Sequence, residues 1–110
     1  MEYRIDLSDE ADAELDAAYL FLSNQSPDRA IRWYKDIRNT ISTLSQFPRR
    51  CPLAFEDEQY PKNEVRQLLH GKGGGTYRIL FTVFEEDEEV RILHVYHGAR
   101  QMRPRNQEDE

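Results

Sequence analysis

With 110 residues the chain has room for one domain and a single layered core. A mean hydropathy of −0.86 and a net charge of −6 exclude a membrane-embedded body and argue against a broad nucleic-acid-binding surface. The lone cysteine, Cys51, excludes an internal disulfide or a multi-cysteine zinc site, and beside Pro52 it reads as a buried or incidental thiol rather than a nucleophile.

The charge is unevenly spread. Residues 1–60 hold seven basic and twelve acidic side chains, whereas residues 61–110 hold eight and nine. Eight of those nine acids fall in the run Glu85–Glu89 and the tail Glu108–Glu110. Lys62, Arg66, Lys72, Arg78, Arg91, Arg100, Arg103 and Arg105 therefore face only Glu64 between them, and a local basic surface is expected on an acidic protein. No apolar run is long enough to span a bilayer and no apolar leader follows Met1, so a cytoplasmic location without membrane contact is expected.

In chain order, "YRIDLS" (3–8) alternates Tyr3, Ile5 and Leu7 with Arg4 and Asp6, which predicts a short half-buried strand. Ser8 caps a helix opened by Asp9 and Glu10 and striped by Ala11, Leu15, Ala18, Tyr19 and Leu22. After Ser23–Gln25, "SPDRA" starts a second helix with Ser26 as cap and Pro27 in its first turn. Ala30, Trp33 or Tyr34, Ile37, Ile41 and Leu44 form its buried face, and Pro48 stops it. So short a link predicts an antiparallel helical hairpin. Residues 48–63, with three prolines and Glu56–Glu58, read as a long loop suited to moving or to touching a partner.

Strands are predicted at 64–70, 76–84 and 90–97, joined by short turns as an antiparallel meander. In the first, Arg66, Leu68 and His70 oppose Val65, Gln67 and Leu69. In the second, Arg78 and Leu80 oppose Tyr77, Ile79, Phe81 and Val83. The third is apolar on both faces, as a central strand is. The expected architecture is α+β, β-α-α-β-β-β, with the helical hairpin on one face of a small, mainly antiparallel sheet and Arg66, His70 and Arg78 on the other. A single domain spans residues 1–100, and residues 101–110 are expected to fray.

"HGKGGGTYRILF" (70–81) has the glycine and lysine content of a phosphate cradle. It lies between two strands, however, its lysine precedes the glycine run, and no helix follows. The glycines are explained by positive φ in a hairpin connection, from which Lys72 can still reach a phosphate. His94 and His97 lie three apart on a strand and so point to opposite faces, which leaves no metal-ligand set. Neither a metal nor a cofactor is expected. Arg66, Arg78 and Arg100 are the candidates for converging guanidiniums that would grip a phosphate, with His70 or His97 moving protons near neutral pH and Arg103 as a further phosphate contact.

Taken together, "SPDRAIRWYKDI", "TLSQFPRRCPLA", "VRQLL", "YRILFTV" and "VRILHVYHGARQ" resemble the RelE/ParE superfamily, the toxins of type II toxin–antitoxin modules, also called plasmid-stabilisation proteins. The resemblance runs from Tyr3 to Gln101. It implies this same fold, a cognate antitoxin as partner, and growth arrest by one of two actions. RelE-like members are metal-independent endoribonucleases that cut messenger RNA in the ribosome, and ParE-like members act on DNA gyrase. In the nuclease branch, the arginine of the "YR" strand and the one after the last strand contact the scissile phosphate; these match Arg78 and Arg100, with Arg66 in a region that carries basic residues there. The tail after Arg100 holds no tyrosine or histidine, so His70 or His97 would have to move the proton. The "HGAR" ending is similar to ParE-like members, and the gyrase-directed action ranks above RNA cleavage. An inactive family member serving only as a binding module is the remaining alternative.

Overall fold

In the computed structural model, residues 2–60, 62–72 and 75–98 are described. The elements are β1 (Arg4–Leu7), α1 (Asp9–Gln25), α2 (Pro27–Ser42), β2 (Arg66–His70), β3 (Tyr77–Phe84) and β4 (Glu89–His97), with three 3-10 turns at Thr43–Ser45, Pro48–Arg50 and Phe55–Gln59. The sheet order is β1-β4-β3-β2. The β2–β3–β4 meander is antiparallel as expected, and β1 joins its far side parallel to β4, which makes the sheet mixed.

Capping sets the helix boundaries. The Ser8 side chain accepts from Ala11 N–H at 3.0 Å and donates to Leu93 O at 2.9 Å, fastening the start of α1 to β4. Ser26 closes α1 and opens α2: its N–H donates to Leu22 O, and its hydroxyl accepts from Arg29 N–H. One residue thus serves both ends and leaves no length for anything but a tight hairpin. Helix α2 stops earlier than expected, at Ser42, and tightens into a 3-10 turn before Pro48.

Ala11 and Leu15 of α1 and Ile37 and Ile41 of α2 bury their stripe against Ile79, Phe81, Val90, Ile92 and Val95 of the sheet. Each large side chain buried this way contributes roughly 1.5–3 kcal/mol, and Phe81, Ile37, Ile79 and Ile92 are all fully enclosed. Cys51 is buried beside this core, and burial pushes its thiol pKa up. A register shift at Leu80/Phe81 inserts one extra residue in β4, so that Ile92 and Val95 both face the helices with two residues between them. Beyond the short β1, the exposed edge of β4 is met by α1: Glu14 accepts from Val95 N–H at 2.8 Å and bonds His94 Nδ1 at 3.1 Å.

The second face of the sheet is not the open surface that the sequence suggests. Segment 52–60 runs across it as a strap. Pro52 O accepts from Gln67 N–H, Ala54 N–H donates to Val65 O, and the Asp57 carboxylate takes Val65 N–H at 2.8 Å. Ala54 of the strap packs with Val65 and Leu80 in a second small core, flanked by Tyr60, Leu93 and Tyr96. Strand β3 is therefore buried on both faces from Tyr77 to Thr82. The acidic turn is tied into the fold: Glu89 is buried and bonded to Arg4 and Arg91, and Glu85 holds Arg49 and the Tyr3 hydroxyl.

Of the hairpin glycines, Gly71 has φ +98°, and a Cβ there would lie 2.5 Å from Gly75 O; Gly75 has open space around it. Gly71→Ala is expected to lower stability by about 1–3 kcal/mol and Gly75→Ala by much less, as urea denaturation would read.

Candidate functional site

The residues proposed for phosphate chemistry separate in space. Register places Arg66 opposite Phe81 and His70 opposite Tyr77, on the helix-packed face with Leu68 and Ile79. Arg78 lies opposite Leu69 and points to the strap. Arg66 and Arg78 are thus on opposite faces, three residues and about 10 Å apart along the strands, rather than side by side. The expectation that Arg66, His70 and Arg78 share one face is corrected. Alternation within β2 was read properly, but both of its faces hold a leucine, so the pattern alone did not say which faced the helices. Arg100 and Arg103 lie outside the described residues.

Arg78 is the most enclosed of these cations, with 3% of its side chain exposed. Its Nη1 donates to Glu56 Oε2 at 3.0 Å and its Nη2 to Glu56 Oε1 at 2.8 Å, a two-pronged pairing across the strap. Nε and Nη2 also donate to Gln67 Oε1 at 3.0 and 2.9 Å, and the Phe55 ring lies 5.9 Å from the guanidinium carbon. Arg66 is committed as well: Nη1 donates to Cys51 O at 2.6 Å and Nη2 to Glu64 at 2.8 Å, while its buried Nε has no partner among the described residues.

His70 shares a 2.8 Å hydrogen bond, through Nδ1, with the Thr40 hydroxyl of α2. Burial holds its pKa below the usual 6.5, with Asp36 opposing that shift. His97 packs edge-on to Tyr77, ring centres 5.0 Å apart, within the helix-side layer. Lys72 is exposed in the hairpin connection. Among the described residues no group of three His, Cys, Asp or Glu side chains could hold a metal, and no helix is long and apolar enough to cross a membrane.

Sequence reasoning missed Glu56, Gln67 and Thr40, the partners that decide what Arg78 and His70 do. Glu56 stands 22 residues from Arg78. The only local signal was apolar Phe55 and Tyr60 bracketing the acids, which marks a segment that docks rather than floats.

Glu56→Ala is expected to cost about 3–5 kcal/mol by stranding a buried guanidinium, and a Glu56→Leu/Arg78→Met pair far less, in a double-mutant denaturation cycle. Because folding depresses the His70 pKa, the stability it contributes is full above about pH 6.5 and is lost as pH falls through the folded value. The denaturation midpoint should drop over that window, and His70→Gln should remove this part of the drop.

The ParE toxin model, described as the ParE toxin of a type II toxin–antitoxin system, matches residues 5–102. Among solved structures, the chain is similar to one in the chromosomal ParDE toxin–antitoxin system of P. aeruginosa. The two share 23% identity over 87% of this chain and 96% of that one, with a TM-score of 0.67. A chain of the RelBE2 toxin–antitoxin complex from Mycobacterium tuberculosis is 22% identical over 88% of this chain and 92% of that one, with a TM-score of 0.54. Among curated proteins none matches. At these identities the two structures attest the fold, whereas the family model spans nearly the whole sheet-and-hairpin domain: the chain belongs to the ParE toxin family of type II toxin–antitoxin systems.

Proposed function

We propose that this protein arrests growth by acting on DNA gyrase rather than by cutting messenger RNA, and that a co-encoded antitoxin holds it inactive. The observation that carries the choice of target is the engagement of Arg78. The guanidinium that would contact a scissile phosphate is already gripped by the Glu56 carboxylate and the Gln67 amide and is almost closed to solvent. A substrate phosphate would have to displace a buried, two-pronged ion pair and lift the strap that carries it. Arg66 faces the opposite side of the sheet, and burial favours the neutral form of His70 against α2. Among the described residues these groups do not converge, which supports an action other than stabilising a phosphorane-like transition state.

An antitoxin partner is supported by the toxin–antitoxin assemblies in which both similar chains were solved. Leu20, Phe21 and Ile31 on the helical hairpin remain exposed, an apolar surface suited to such a cover.

Induced expression of the chain alone should stop growth, with DNA-damage signalling and no new transcript ends inside translated codons by primer extension. Purified protein should then inhibit supercoiling by gyrase. Codon-internal cuts that disappear in Arg78→Ala would overturn the gyrase reading in favour of ribosome-dependent cleavage. Normal growth with abundant folded protein would leave the fold as a binding module.

A further inference from the structure

One corner of the molecule combines three features that the core does not require. Phe47 holds φ at +49° in the left-handed region, yet is 77% exposed. A bulky residue adopts that conformation only at a cost, and here no burial offsets it. The loop is also braced. Arg50 Nη1 donates to Gln46 O at 2.8 Å and Phe47 O at 3.1 Å, Nη2 donates to Thr43 Oγ1 at 3.0 Å, and Pro48 is buried. An aromatic ring is thus held in solvent on a stiff, strained support.

Two residues on, Arg49 helps line an open cavity of about 330 Å³ with Lys62, Asn63, Glu64, Arg66 and Val83. Three cations line it with one carboxylate, while Glu85 also holds Arg49 at 2.7 Å. That carboxylate, Glu64, is already shared by Arg49 at 3.2 Å and Arg66 at 2.8 Å. Among the described residues Lys62 makes no ion pair. The third feature is Leu53, 49% exposed and bridged through its backbone to Arg66, which adds apolar surface on the same connecting segment.

The geometry points to a docking surface for an acidic segment of a partner polypeptide, which places a carboxylate in the Arg49–Lys62–Arg66 cavity and packs apolar side chains on Phe47 and Leu53. Glu64 shows the chemistry the cavity accepts, since a carboxylate already sits there between two guanidiniums. A nucleic acid fits less well. Its successive phosphates would meet Glu64 and Glu85 around the cavity, on a chain whose net charge is −6. On so acidic a protein, a local cationic pocket beside rigid apolar anchors fixes where and in what register an acidic chain binds. The surface does not depend on the target assigned above, because Arg78 and Glu56 take no part and Leu53 lies at the start of the strap, where its backbone bridges Arg66.

Fluorescence anisotropy on the full chain tests it with three labelled probes: a short peptide of Glu, Leu and Ser, its Gln-for-Glu counterpart, and a short single-stranded DNA. The acidic peptide should bind, more weakly as salt rises, and Lys62→Glu or Phe47→Ala should each weaken it by about tenfold or more. Thermal midpoints of both variants should be unchanged or higher, since neither side chain is buried. Equal binding of the Gln peptide, tighter binding of the DNA, no binding of the acidic peptide, or indifference to both substitutions would each overturn the proposal.

Discussion

The pairing of Arg78 with Glu56 is the constraint around which the second face of the sheet is organised. Strand β3 is buried on both sides, so a charged residue in its middle must be matched inside the protein. Glu56 supplies the charge and Gln67 the remaining acceptor. Matching them fixes the strap, because the same 3-10 turn places Asp57 on the Val65 amide and brings Ala54 over Val65 and Leu80. A small chain thereby gains a second core without another helix or sheet.

This economy divides the basic residues by role. Arg78, Arg66 and Arg50 are absorbed by the protein's own carboxylates and carbonyls; Arg78 and Arg66 clamp segments distant in sequence, and Arg50 braces its own turn. Arg49 is partly absorbed by Glu64 and Glu85. Lys62 and Lys72 stay at the surface. The guanidinium in the strand position that the resemblance singled out is engaged by the strap.

The helical hairpin shows the same division from the other side. Its inner stripe closes the main core, while Leu20, Phe21 and Ile31 are left outward. An isolated domain of this size gains nothing from such exposure. The strained presentation of Phe47 is a comparable signature on the opposite flank of the chain's connections. Both are surfaces that make physical sense for a protein that works in company.

Local sequence determined what local physics controls. Ser8 and Ser26 at helix starts, Pro27 in the first turn, the apolar stripes of α1 and α2 and the alternation of β3 each depend on neighbours a few residues away, and all are where they were expected. The helical hairpin and the antiparallel meander follow from short connections in the same way. Tertiary structure alone decided which face of β2 meets the helices, because Leu68 and Leu69 make both faces apolar and only the pairing of Leu68 with Ile79 breaks the tie. It also decided that segment 52–60 is a strap and that Arg78 is buried in an ion pair with Glu56. Those outcomes rest on the meeting of Glu56 with Arg78 and of Asp57 with Val65, and a pairing across a fold leaves no periodicity in the chain to read.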